Sequence, residues 1–266
     1  MDKEKKIKDW FVKYPKVLVA LSGGVDSCLV AFFARKYLGK ENAVSIIGVS
    51  PSLKKKDLAI AEEFCNEHDI TLVKLYPKEM DDPNYNTNPI NRCYFCKTAL
   101  YDEMHELRVQ EYPDFVLVNG NNKTDWKDYR PGLKAADEKS AFSPLADCGF
   151  EKEDIRNYAE KFGLKVWDKP ASPCLSSRFP YGENITKEKL AMVEKAENIL
   201  NDFGFNDVRV RYDNGRARIE VLYEEISRLL DNYDKIESMI LNFGFEKCEI
   251  DSEGLVSGKL NRALDI

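Results

Sequence analysis

The chain has 266 residues, 43% of them hydrophobic, with a net charge of -6. That is enough to bury a full core in one large domain or in a medium and a small one. No run of 18 apolar residues is present to span a membrane, and an acidic balance disfavours nucleic acid as the main partner.

The N-terminal stretch MDKEKKIKDWFVKYPK is charged and lacks the apolar centre of a signal peptide, so a cytoplasmic protein is expected. Seven cysteines, an odd number, argue against a disulfide framework in that compartment. KVLVAL (16–21) then reads as a buried strand and 26–38 as a helix. AVSIIGV (43–49) is a second strand, KKKDLAIAEEFCNEH (54–68) a helix, and ITLVKL (70–75) a third strand. Residues 92–109 read as a helix, DFVLVNG (114–120) as a fourth strand and EKEDIRNYAEKFG (151–163) as a helix. This alternation predicts an α/β fold, a doubly wound, mostly parallel sheet with helices on both faces and ligands bound beyond the strands' carboxyl ends.

After the loop DKPASPCLSSRFPYGEN (168–184) the rhythm changes. Residues 186–203 read as a helix, 207–222 as a hairpin, 223–243 as helical and 246–251 as a strand. LNDFGFNDVRV and ILNFGFEKCEI form a weak internal repeat, each a helix end, Gly-Phe, then a strand. The expected division is a nucleotide domain at 1–170, a cysteine-bearing connecting loop at 171–184, and a small α+β domain at 185–266.

ALSGGVDSC (20–28) sits where the first strand hands over to the first helix. Gly23 and Gly24 let the backbone turn sharply, and amides at a helix start cradle phosphate. Ser22 and Ser27 add hydroxyls, and Asp26 could hold Mg²⁺ beside the phosphates or simply cap the helix. The Walker and dinucleotide glycine patterns are both absent. The string SGGVDS resembles the pyrophosphate loop of the N-type ATP pyrophosphatases, the PP-loop superfamily, which cleave ATP between the α and β phosphates and transfer AMP to a substrate oxygen.

Four further stretches, DYRPGLKAA (128–136), SPLAD (143–147), CLSSRFPYG (174–182) and VRVRYDNGRARIEV (208–221), resemble the LarE family of pyridinium-biscarboxylate mononucleotide sulfur transferases. The resemblance spans nearly the whole chain. It implies an ATP- and Mg²⁺-dependent enzyme that adenylates a carboxylate of pyridinium-3,5-biscarboxylic acid mononucleotide and converts it to a thiocarboxylate, a step toward a nickel-pincer nucleotide cofactor. It also implies a small-molecule substrate, sulfide or another sulfur donor, and neither nucleic acid nor membrane as partner. The expected assembly is a homo-oligomer, with the C-terminal domain serving substrate and oligomerisation. A tRNA thiolase with the same activation chemistry and a non-catalytic nucleotide sensor are the competing readings.

NRCYFCKT (91–98) places Cys93 and Cys96 three apart on one helical face, so both thiolates can address one site. By itself the pair fits a redox couple, half of a zinc site in which Cys148 or His105 could be the fourth ligand, half of an iron–sulfur site, or plain buried cysteines. The resemblance points to the family type in which three cysteines, here Cys93, Cys96 and Cys174, hold a 4Fe–4S cluster with one iron left open for sulfide. In the other type the cysteine matching Cys174 surrenders its own sulfur. Cys28, Cys65, Cys148 and Cys248 read as core residues, and Trp126, Trp167, His68 and His105 as packing or surface residues.

Asp125 and Asp128 fall in a loop after the fourth strand, where they could approach ATP. Glu197 and Glu220 match carboxylates that bind a divalent ion in the family, with helical and cross-strand ion pairs as the competing reading. Arg209 and Arg211 match positions that hold the substrate phosphate, with Arg218 as a further candidate and Arg178 either another or a plain exposed arginine. The turn Asn214-Gly215 sets a two-residue hairpin register pairing Arg209 with Glu220 and Arg211 with Arg218. Like charges directly opposite one another predict a repulsion that a bound phosphate would relieve, and so an Arg211→Ala variant no less stable than the parent.

Overall fold

A computed structural model of the chain describes residues 2–127, 131–256 and 258–264. Two compact units emerge, Met1–Glu79 with Asn91–Ser172, and Met80–Ile90 with Pro173–Ile266.

The first unit begins with α1 (Lys3–Lys13), which the sequence reading did not assign. Asp2 caps it by accepting the Glu4 amide, and Ile7 and Phe11, four apart, are its only buried residues. Two apolar anchors in a lysine-rich stretch are too sparse a stripe to stand out by periodicity. There follow β1 (Val17–Ala20), α2 (Val25–Leu38), β2 (Ala43–Gly48), α3 (Lys55–Glu67) and β3 (Thr71–Leu75). After the excursion through the second unit, which carries α4 (Pro83–Asn86), come α5 (Arg92–Glu111), β4 (Val116–Val118), α6 (Pro131–Glu138), α7 (Pro144–Asp147) and α8 (Lys152–Lys161).

The strands pair in the order β3-β2-β1-β4, all parallel. Side chains alternate across β1. Val17, Val19 and Leu21 enter a core with Ile7, Phe11, Leu29, Phe33 and Ile155, whereas Leu18 and Ala20 enter a second core with Ile46, Tyr101 and Met104. Helices therefore cover both faces, as expected of a doubly wound sheet. β4 is shorter than the predicted 114–120. Its last residue, Val118, makes a single parallel bridge to Phe142, and Asn119, just beyond it, donates its amide to the Phe142 carbonyl.

The order 3-2-1-4 puts the topological switch between β1 and β4. The loops leaving these two strands depart in opposite directions and open a crevice at their carboxyl ends. Among the described residues no helix is long and apolar enough to cross a membrane.

In the second unit α9 (Lys187–Asp202) buries Leu190, Val193, Ala196, Glu197 and Leu200 at helical spacing. β5 (Arg209–Asp213) and β6 (Arg216–Glu220) are antiparallel, and β7 (Lys247–Ile250) joins β6 in parallel, giving a small mixed sheet. The predicted helical stretch 223–243 divides at Asp231-Asn232 into α10 (Ile226–Leu230) and α11 (Tyr233–Leu241). The internal repeat is real. Gly204 (φ 85°) and Gly244 (φ 103°) end α9 and α11 in the left-handed region, each followed by a buried phenylalanine, Phe205 or Phe245, that leads into a strand.

The excursion 80–90 is tied to 176–185 within this unit. Tyr85 and Ser176 share a buried hydroxyl hydrogen bond of 2.6 Å, the Asn88 amide donates to the Pro180 carbonyl at 2.7 Å, and the Ile185 amide donates to the Asn86 carbonyl. A segment that leaves one unit and returns to it carries no compositional mark, so the linear division into 1–170, 171–184 and 185–266 does not anticipate it.

Candidate functional site

The loop after β1 is built around Gly23 and Gly24. Gly23 sits at φ 71°, and a Cβ there would lie 3.0 Å from the Asp57 carbonyl oxygen, so only glycine fits against α3. Gly24 is the N-cap of α2 and brings no side-chain cap, so the helix opens with amides free for an anion. Asp26 is therefore in the first turn and is not the cap. Ser27 braces the loop. Its hydroxyl accepts the Ser22 amide at 3.1 Å and donates to the Gly24 carbonyl at 3.1 Å.

The β4 loop closes against the same helix start. A Cβ on Gly120 would stand 2.7 Å from the Ser27 nitrogen, so this glycine permits a backbone-to-backbone approach. Asn122 donates its side-chain amide to Asp26 Oδ1 at 3.3 Å, and Asp125 accepts the Asn122 amide at 3.1 Å. Burial first, then the nearby Asp125 charge, raises the Asp26 pKa above its usual value. Asp26, which lines the cavity on this loop, and the neighbouring Asp125 are oxygen donors of the kind a hard divalent cation takes, so the donor chemistry fits Mg²⁺. Asp128 lies outside the described residues, as do the side chain of Trp126 and the opening residues of the DYRPGLKAA motif.

A cavity of about 280 Å³ opens on this loop. Ser22, Gly24 and Asp26 line it, and Lys152, Arg156 and Lys169, also in the lining, supply positive charge. None of these three cations was singled out from the sequence. The available signal was the Lys-Pro of the 168–184 loop, which lies more than 140 residues from the glycines in the chain.

The seven cysteines divide by environment. Cys28, Cys65, Cys148 and Cys248 are buried, and desolvation pushes their thiols up, to about 12 for Cys65 and about 11 for Cys148 and Cys248. Cys93 is exposed, and Cys96 and Cys174 are half-buried. Cys93 and Cys96 occupy the first turns of α5, where Arg92 Nη2 stands 3.8 Å from Cys93 Sγ. Cys174 caps the short 3₁₀ turn Leu175–Arg178, its carbonyl accepting the Ser177 hydroxyl at 2.8 Å and Arg178 Nη1 at 3.3 Å. The backbone of Cys174 is thus pinned.

Among the described residues no group of three or more His, Cys, Asp and Glu side chains is assembled around a metal position. Cys93, Cys96 and Cys174 are the three cysteines that are not buried, and thiolates reached by solvent are the donor type an iron–sulfur cluster takes. Cys148 is buried and His105 exposed, and neither joins the CxxC in such a group.

Arg178 is neither an exposed side chain nor a free phosphate ligand. It is 1% exposed and forks onto Glu197, Nε to Oε1 at 2.7 Å and Nη2 to Oε2 at 3.2 Å, while Nη1 donates to the Pro173 carbonyl at 2.9 Å. Glu197 Oε1 also accepts the Val210 amide. Glu220 is fully buried and is held by Arg211 at 2.6 Å, with Lys259 at 3.4 Å. Both carboxylates offered for a divalent ion are thus engaged by cations of the chain.

The hairpin register is the predicted one, Arg209 to Glu220 and Arg211 to Arg218. The side chains correct the ion pairing inferred from it. Arg211 is buried and reaches diagonally to Glu220, and Arg218 turns to Asp251 at 3.4 Å, which removes the expected repulsion. Arg211→Ala would therefore strand a buried carboxylate and destabilise the protein. Arg209 is left half-buried with no ion pair or side-chain hydrogen bond among the described residues. Burial first, then the nearby Arg178 and Arg211 charges, lowers its pKa from the usual arginine value.

A half-buried guanidinium beside two others has the chemistry to take an anion. Arg209→Gln is expected to weaken binding of inorganic phosphate by about tenfold and to leave thermal stability unchanged or raised. Calorimetric titration alongside a melting curve checks both. Undiminished phosphate affinity would move the anion site elsewhere.

Of the remaining candidates, Trp167 is 38% exposed, and His68 packs against Phe64 and Phe32 at 4.8 and 5.4 Å between ring centroids and is not a bare surface residue.

Comparison with known proteins agrees with this geometry. Residues 4–83 match the family model described as NAD synthase. The chain is 44% identical to an uncharacterized protein of Synechocystis sp., covering 97% of this chain and 96% of that one. It is 34% identical to the pyridinium-3,5-bisthiocarboxylic acid mononucleotide synthase of Lactiplantibacillus plantarum, covering 94% of this chain and 90% of that one. An uncharacterized protein of Methanocaldococcus jannaschii is 27% identical over 91% of each.

Proposed function

The chain belongs to the LarE-like family of PP-loop ATP pyrophosphatases, and from that premise we propose that it converts a carboxylate of pyridinium-3,5-biscarboxylic acid mononucleotide to a thiocarboxylate, with Cys93, Cys96 and Cys174 as ligands of a 4Fe–4S cluster. The observation that carries the ATP half is the uncapped start of α2 facing a cavity lined by Lys152, Arg156 and Lys169.

The chemistry balances in two steps. A substrate carboxylate oxygen attacks the α-phosphorus of ATP, the α–β bridge bond breaks, and pyrophosphate leaves. Sulfide then adds to the carbonyl of the acyl adenylate and AMP departs, so one ATP and one hydrosulfide give a thiocarboxylate, AMP, pyrophosphate and a proton.

The loop amides and the cavity cations hold the phosphates, and placing donors where charge builds on the leaving group lowers the barrier. Asp26 and Asp125 would hold Mg²⁺, which when bound neutralises phosphate charge. Arg209 would take the phosphate of the mononucleotide. The cluster when bound would supply an iron that holds the incoming sulfide. That Cys93 is exposed and Cys96 and Cys174 only half-buried, against burial of the other four, supports that role.

Protein reconstituted anaerobically with iron and sulfide is expected to be brown, and Cys93→Ala, Cys96→Ala and Cys174→Ala each to bleach it. With excess sulfide it should form thiocarboxylate over repeated turnovers and keep its intact mass. Dehydroalanine at position 174 after one turnover would replace the cluster reading by sacrifice of the protein's own sulfur. Pyrophosphate release with tRNA and not with the mononucleotide would overturn the substrate.

A further inference from the structure

Part of the wall of the glycine-loop cavity is made by residues 169–172, a segment held by several hydrogen bonds. Arg156 donates to the carbonyls of Trp167 at 2.9 Å and Lys169 at 3.1 Å. The Ser172 hydroxyl donates to Asp57 Oδ2 at 2.7 Å, and Asp57 Oδ1 lies 2.9 Å from Lys169 Nζ. Lys169 Nζ also donates to the Gly23 carbonyl at 2.8 Å. Pro170 restricts Lys169 to an extended backbone, which fixes where its side chain starts.

An ammonium carries three N–H donors. Two of those on Lys169 are used, by Asp57 and Gly23, and the third has no acceptor among the described residues, while the side chain lines the cavity. Both oxygens of Asp57 are committed, one to Lys169 and one to Ser172, and its carbonyl oxygen lies so near Gly23 that a Cβ there would stand only 3.0 Å away. Asp57 thus fastens the ammonium to the loop on which phosphates would rest.

We propose that Lys169 is a pyrophosphate-binding residue of this loop, contacting the leaving phosphates of ATP through its free donor, and that Asp57 is the positioning residue that aims it. The proposal rests on the ATP-cleaving reading above and adds the residues that recognise the leaving group. An ion pair serving the fold alone would not need an ammonium edge in a cavity already bounded by Lys152 and Arg156.

The test is calorimetric titration of the full-length protein with Mg²⁺-pyrophosphate and, separately, with AMP. Lys169→Gln keeps a donor for the Gly23 carbonyl and removes the charge. It should weaken pyrophosphate binding by about tenfold or more, flatten its salt dependence and leave AMP affinity unchanged, while Lys169→Arg retains most of the affinity. Asp57→Asn should weaken pyrophosphate binding by a smaller factor, and adding it to Lys169→Gln should cost nothing further, because there is no ammonium left to aim.

Wild-type affinity in Lys169→Gln, or equal losses for pyrophosphate and AMP, would overturn the proposal and leave the ATP-cleaving reading standing. A wild-type protein that binds no Mg²⁺-pyrophosphate would overturn both. Should Lys169→Gln fail to fold, the unaltered protein decides: bound pyrophosphate should protect Lys169 from reductive methylation, and equal labelling with and without it would refute the contact.

Discussion

Asp26→Asn is expected to lower pyrophosphate release by at least about a hundredfold while making the ligand-free protein more stable at pH 7. The activity loss follows from position. Asp26 is in the first turn of α2, beside Asn122 and near Asp125, and is the carboxylate closest to the loop amides in sequence. The amide keeps the hydrogen bond to Asn122 and loses the charge that would hold Mg²⁺. The stability gain follows from the raised pKa. A carboxyl whose pKa rises on folding costs stability wherever it must be ionised, and costs nothing once it is protonated in both states. The gain should therefore be present at pH 7 and fade as the pH falls through the folded pKa to below about 4. Pyrophosphate assays and melting curves from pH 3 to 8 check this. Normal ATP cleavage with only a stability change would reduce Asp26 to a structural residue.

Arg178→Met should cost about 3–5 kcal/mol by urea unfolding, a large share of the roughly 5–15 kcal/mol that holds a domain together. Removing the guanidinium leaves Glu197 charged at 3% exposure without the two-point fork that neutralises it. Replacing both partners should recover much of the loss, because well-packed apolar groups can substitute for a buried ion pair. Arg178→Met/Glu197→Leu is thus expected to be nearly as stable as the parent. It should still transfer sulfur poorly, because Arg178 Nη1 also holds the carbonyls of Pro173 and Cys174 that shape the cysteine turn. A double variant that is stable and fully active would show that Arg178 serves the fold alone.

The Asp57–Lys169 pair and the Arg178–Glu197 pair show why side-chain partners escaped the sequence reading. Asp57 and Lys169 are separated by more than a hundred residues, and nothing in KKKDLAIAEEF or DKPASPC says that they meet. Arg178 and Glu197 sit only 19 apart, yet each looks like an ordinary surface charge because burial is decided by what packs over them. The hairpin is the clearest case. Asn214-Gly215 specifies a two-residue turn, and a period of two then dictates every cross-strand neighbour, so the register was legible. The partner of Arg211 was not, because a long guanidinium can reach diagonally as easily as straight across, and Asp251, which draws Arg218 away, arrives from beyond β7.

What the sequence determined by itself was the local grammar. Apolar runs such as VLVA placed β1, and SGGVDS immediately after it placed a phosphate-ready turn at a helix start, because glycine conformations and helix amides act over a few residues. The α/β class followed from the alternation of such elements. Only the tertiary structure decided which distant charges neutralise one another, which cysteines solvent reaches, and which lysine faces the loop. Those outcomes depend on desolvation and on contacts closed across long stretches of chain, and no short window of residues carries them.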